Sequence, residues 1–114
     1  MPWSRPGWPS LSKNVIHDMR KDLGVPALPF VIAETGMTGP EEKNPRALSL
    51  MKAQAAVAQH PEFKGNVAFA STRAFWRPEE QSPNKQGYHW NSNAETCYLI
   101  GESMGRVMTE LVKK

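Results

Sequence analysis

Apolar residues fall along the chain in two patterns, recurrence at helical spacing and short continuous runs, and each change of pattern marks a new element. After Ser10 and Ser12, both suited to cap a helix, Leu11, Val15, Ile16, Met19 and Leu23 follow at helical spacing with charged residues between them. Gly24 and Pro26 stop that helix. The run Pro29-Phe30-Val31-Ile32-Ala33 is continuously apolar, the pattern of a strand buried on both faces of a parallel sheet, and it closes on Glu34-Thr35-Gly36. Asn44 caps and Pro45 opens a second helix with an apolar stripe of Leu48, Met51, Ala55 and Val57, ended by His60-Pro61. Val67-Ala68-Phe69-Ala70 reads as a second buried strand. A loop of about twenty residues follows, and connections of that length usually carry function. From near Asn93 a last helix places Cys97, Ile100, Met104, Val107, Met108 and Leu111 on one side, with Gly101 and Gly105 spaced for close packing on the sheet.

The order helix, strand, helix, strand, loop, helix predicts an α/β fold with right-handed crossovers. Two strands leave sheet edges uncovered, so the chain reads as a piece of a larger fold. Residues 1–10, with three prolines and two tryptophans and no periodicity, read as an irregular tail, and residues 11–114 as one structured unit. A length of 114 residues allows a single small domain.

Composition narrows the function classes. The net charge of +3 is spread among acids, as in Glu41-Glu42-Lys43, so nucleic acid is not an expected partner. Cys97 is the single cysteine, which excludes an internal disulfide, and its place in the helical pattern suits a small buried apolar residue better than a reactive thiol. No run reaches the ~18 apolar residues of a membrane span, and the opening nine residues lack a signal-peptide core, so no membrane contact is expected. Histidines at i, i+4 and Cys/His clusters are absent from the sequence, so neither a metal nor another cofactor is expected. Gly36-Met37-Thr38-Gly39 is too short for a phosphate loop.

The chemistry concentrates around His89, in Gln86-Gly87-Tyr88-His89-Trp90-Asn91. A histidine on an irregular stretch before a long helix is placed as a general base, and Gly87 lets the backbone turn tightly beside it. Trp76 and Arg77 lie upstream in the same loop. Glu34 stands at the carboxyl end of the first strand, where parallel sheets gather site residues. Two readings of Glu34 stand: the carboxylate that supports a histidine, or a hydrogen-bonded anchor for the loop. Glu79 and Glu80 are alternative acids. His17 and His60 read as surface or capping residues.

Four stretches, Leu28–Gly36, Lys52–Ala58, Ala74–Pro78 and Gly87–Asn91 with Ala94-Glu95-Thr96, together resemble in order and spacing the carboxyl-terminal half of the sialate O-acetylesterase-like carbohydrate esterases of the SGNH hydrolase superfamily. The resemblance covers about residues 11 to 112. It implies a partial three-layer α/β/α flavodoxin-like fold with a short parallel sheet, and hydrolysis of acetyl esters on sugars. In that chemistry a serine attacks the acetyl carbonyl and a histidine moves its proton to the leaving sugar oxygen. His89 matches the family's catalytic histidine. Trp76 and Trp90 would stack on a sugar ring and Arg73 or Arg77 would donate hydrogen bonds to it, although packing of the long loop on the helix explains the aromatics equally.

The chain departs from the family pattern twice. Its serines, among them Ser4, Ser71, Ser82 and Ser92, do not sit in the Gly-Gln-Ser-type turn that carries the nucleophile. Gln86 stands where many members have an aspartate three residues before the histidine. A neutral glutamine fixes a tautomer but does not stabilise an imidazolium. The expectation is an esterase segment inactive alone, taking an acetylated carbohydrate once completed by an amino-terminal half. The alternative is a non-catalytic binding or assembly module that pairs its open sheet edge with a partner chain, including a second copy of itself.

Overall fold

The computed structural model describes residues 7–36, 39–83 and 89–113. Three helices, α1 (Gly7–Leu23), α2 (Pro45–Gln59) and α3 (Ala94–Val112), surround a parallel pair of strands, β1 (Phe30–Ala33) and β2 (Val67–Ala70). The fold is α/β, as the pattern predicts. The strands run in register from Phe30 opposite Val67 to Ala33 opposite Ala70.

Local signals set most boundaries. Asn44 accepts the Arg46 N–H at 2.9 Å to cap α2, and Asn93 accepts the Thr96 N–H at 2.9 Å to cap α3. Gly24, at φ +67°, ends α1 in a Schellman motif: its N–H bonds the Lys21 carbonyl and the Val25 N–H bonds that of Arg20. One boundary differs. α1 begins at Gly7, so residues 7–10 of the expected tail are helical, and residues 1–6 lie outside the described residues. Pro9 falls in the first turn, where backbone N–H groups have no intrahelical partner and proline costs no hydrogen bond.

The core is small. Ile16, Val57, Phe63 and Val67 form a buried cluster against which Phe30, Ile32 and Ala58 pack. Ala68 points to the other face and, with Arg106, Val107, Glu110 and Leu111, lines a hollow of about 400 Å³ beneath α3. Two strands stand about 5 Å apart, so the sheet is no wider than one helix with its side chains, about 10–12 Å. That narrowness overturns several expected burials. Val15, Met19 and Leu23 are 56, 44 and 61% exposed, and Cys97 is exposed too. Gly101 and Gly105 face open space instead of packing on the sheet: beyond the adjoining helix backbone, a methyl group added to either would meet nothing within 4 Å.

Arg20 takes the place left by the apolar stripe. Only 7% exposed, it lies 5.6 Å from the Phe30 ring centre and 5.5 Å from that of Phe63, and its Nε and Nη2 donate to the Leu28 carbonyl at 3.0 and 2.8 Å. The guanidinium is weakly hydrated for a cation, which lets it stack between aromatic faces. On one flank of α1, Lys13 and His17 reach Glu62, in the turn Pro61–Phe63 after α2, at 3.7 and 2.7 Å. Val15 and Met19 occupy the opposite flank by helical geometry.

β1 ends the sheet. Phe30 N–H donates to the Asn66 carbonyl and Glu34 N–H to that of Ala70, so Phe30, Ile32 and Glu34 face β2. The backbone groups of Val31 and Ala33 therefore point to the outer edge, and no third strand is present among the described residues.

Candidate functional site

Two loops leave the carboxyl ends of the strands, and the Glu34 side chain ties them together. Its Oε1 accepts from Ser71 Oγ at 3.2 Å, from the Thr72 N–H at 3.0 Å and from the Arg73 N–H at 3.3 Å. The Glu34 carbonyl accepts the hydroxyl of fully buried Thr72 at 2.7 Å. Backbone amides at the start of the short Arg73–Phe75 helical turn thus hold the carboxylate. Of the two readings the sequence leaves open, this geometry is the loop anchor.

Arg73 and Trp76 extend the same seam. Arg73 Nε donates to the Gly39 carbonyl at 3.1 Å and Nη2 to that of Pro40 at 2.9 Å. A methyl group on Gly36 would sit 2.4 Å from Arg73 Cγ, and one on Gly39 2.8 Å from the Trp76 ring. The backbone of the first loop therefore approaches the second so closely that only glycine fits. Arg73 and Trp76, read from sequence as sugar-binding residues, have these loop contacts as their positions. Met37 and Thr38 lie outside the described residues.

The long loop is then fastened to the start of α3. Arg77 Nε and Nη2 lie 2.8 and 2.6 Å from Glu95 Oε1. Thr96, fully buried, donates its hydroxyl to the Phe75 carbonyl at 2.6 Å. Asn93 Nδ2 donates to the Gln81 carbonyl at 2.9 Å while its Oδ1 caps the helix, and Asn91 Nδ2 donates to the Arg77 carbonyl at 3.1 Å. The sequence pattern places the start of the last helix near Asn93 but misses Asn93 as its cap and Asn91 and Thr96 as anchors. The signal for Asn91 is its residue type, since asparagine tolerates the left-handed region.

That conformation is what distinguishes the His89 segment. His89, Trp90, Asn91 and Ser92 have φ of 50°, 56°, 54° and 54°, a full turn of left-handed backbone without a glycine. Left-handed helical geometry costs roughly 1–2 kcal/mol per residue for L-amino acids, and such strain persists where surrounding structure enforces it, often at functional sites. His89 is exposed on this turn and Trp90 half-buried. Gln86 and Gly87 lie outside the described residues, as does Ser4.

His17, His60, Ser71 and Ser82 each have a partner within the fold. His60 Nδ1 accepts the Glu62 N–H at 3.3 Å, capping a short turn, and His17 pairs with Glu62, in keeping with surface and capping roles. The hydroxyl of Ser71 is bonded to Glu34, and that of Ser82 donates to the Pro78 carbonyl at 2.9 Å. Among the described residues no group of three or more His, Cys, Asp or Glu side chains is placed to hold a metal ion. No helix is long and apolar enough to cross a membrane among those residues. The chain matches no protein-family model, no curated protein and no solved structure.

Proposed function

We propose that this chain is the carboxyl-terminal part of a carbohydrate esterase of the sialate O-acetylesterase type, within a three-layer α/β/α flavodoxin-like domain. The observation that carries the reading is the fastened loop: Glu34, Arg77, Asn93 and Thr96 tie the carboxyl end of the sheet to α3, and the strained turn between them presents His89 to solvent. A general base needs such a fixed, accessible imidazole. A serine supplied by another segment would attack the acetyl carbonyl. His89 would take the hydroxyl proton and return it to the sugar oxygen as the acyl–oxygen bond breaks, and water would then release acetate by the same relay. Trp90 is the aromatic best placed to meet a sugar ring, because Trp76 packs on Gly39.

The test is hydrolysis of an acetylated sugar by the chain alone and mixed with a polypeptide carrying a strand and a Gly-Gln-Ser-type turn. Activity is expected only in the mixture, and His89→Ala abolishes it. A mixture that binds but never hydrolyses overturns the reading.

A second reading, an assembly module without catalysis, has its own support in the outer edge of β1 and the exposed Val15, Met19 and Leu23 of α1. Open strand edges and apolar flanks are what association covers. Light scattering on the purified chain separates the two: a stable, well-folded dimer favours assembly, and a monomer favours the esterase segment.

A further inference from the structure

We propose that Asn91 is a positioning residue that sets the direction of the His89 imidazole, an inference that rests on reading His89 as the base. Asn91 is 1% exposed, and its side-chain amide donates to the Arg77 carbonyl at 3.1 Å. Arg77 is itself held to Glu95 in the first turn of α3. Two residues beyond Asn91, the Asn93 N–H donates to the Trp90 carbonyl at 3.1 Å and the Asn93 side chain starts that helix. The left-handed turn is therefore bracketed by two fixed points, Arg77 on one side and Asn93 on the other.

Handedness decides where His89 points. A right-handed turn over the same four residues would coil the other way and carry the imidazole to a different side of the segment. A turn serving the backbone alone is ordinarily built with glycine, which enters the left-handed region without steric cost. Here the positions keep His89, Trp90, Asn91 and Ser92, and the buried amide of Asn91 offsets part of the strain. Strain retained at side-chain-bearing positions beside a candidate base is the pattern of a preorganised site.

The decisive variant is Asn91→Asp. It keeps the shape of the side chain and tolerates left-handed backbone, but it replaces the donor facing the Arg77 carbonyl with a carboxylate oxygen. Asn91→Gly relieves the strain and removes the anchor. Nuclear magnetic resonance on the labelled full chain reads the His89 ring resonances, and carbethoxylation by diethyl pyrocarbonate reads the accessibility of the imidazole. In both variants the His89 ring signals are expected to move toward those of histidine in the unfolded chain, with a changed modification rate, while signals from β1 and β2 stay in place. Unchanged His89 signals and reactivity in either folded variant overturn the proposal, because a merely structural asparagine would lower stability without moving them. If the two-part mixture hydrolyses acetyl esters, Asn91→Asp lowers kcat and leaves KM unchanged, and an unchanged kcat overturns the proposal. A mixture inactive even with Asn91 intact counts against the esterase reading alone, and the resonance result still decides the role of Asn91.

Discussion

Thr96 reaches back from the first turn of α3 and donates its hydroxyl to the Phe75 carbonyl at 2.6 Å, in a place closed to solvent. The neighbouring Arg77–Glu95 pair makes the same connection at the surface, with the Glu95 side chain 63% exposed. The two links have unequal weight. Thr96→Val leaves a carbonyl without its donor and is expected to cost about 1–3 kcal/mol. A double-mutant cycle on Arg77 and Glu95 is expected to give a coupling of only about 0.2–1 kcal/mol, falling with added salt. Urea denaturation of the variants measures both.

Glu34 is an anchor, so its variants should behave as anchor variants. Glu34→Ala removes the acceptor for three donors and is expected to lower stability by about 2–3 kcal/mol. Glu34→Gln keeps an acceptor oxygen and is expected to lose roughly half as much, since the charge assistance alone is lost. Thermal unfolding followed by circular dichroism checks the order. Equal losses for the two variants would contradict the geometry.

Two pairs of glycines should respond in opposite directions. Gly36→Ala and Gly39→Ala drive a methyl group into Arg73 and Trp76, and Gly39 also has φ +82°; each is expected to cost about 1–3 kcal/mol. Gly101→Ala and Gly105→Ala, on an open face in the middle of α3, are each expected to add about 0.5–1 kcal/mol. Melting temperatures falling for the first pair and rising for the second would establish both the loop seam and the rotation of α3.

Arg20 offers a test of the core. Arg20→Ala removes the stacking on Phe30 and Phe63 together with the bonds to Leu28, and is expected to cost about 2–4 kcal/mol. Arg20→Met restores the volume but leaves the Leu28 carbonyl without its donor, and is expected to cost about 1–2 kcal/mol. Guanidinium denaturation distinguishes the pair.

How far the sequence discloses this arrangement depends on the range of each interaction. Asn44, Gly24 and Asn93 act on backbone within a few residues, so the helix ends they set are legible, and so are the apolar runs that become β1 and β2. The rotation of α1 is not legible. Helical spacing alone cannot distinguish an inward Arg20 from an inward Met19 when the sheet is too narrow to cover the whole stripe. Cys97 and the two α3 glycines are exposed for the same reason. In the site, His89 is visible as a histidine on an irregular stretch before a long helix, whereas the roles of Arg73, Trp76 and Asn91 depend on which distant carbonyl or backbone each one meets. Residue type suggests a donor or an aromatic face, and only the tertiary fold selects its partner.

The interior carries a thermal consequence. Beside six apolar residues, Ile16, Met51, Val57, Phe63, Val67 and Ala70, the described residues bury Arg20, Thr72, Asn91, Asn93 and Thr96. Exposing apolar surface raises the heat capacity of a protein and exposing polar surface lowers it, with a usual net near 12–15 cal/mol/K per residue. With polar and charged residues nearly as numerous as apolar ones in that buried set, this chain is expected to have a heat-capacity increment toward the low end of that range. Its stability then varies gently with temperature, and the loss of structure in the heat is driven more by released chain entropy than by a change in how water meets apolar groups.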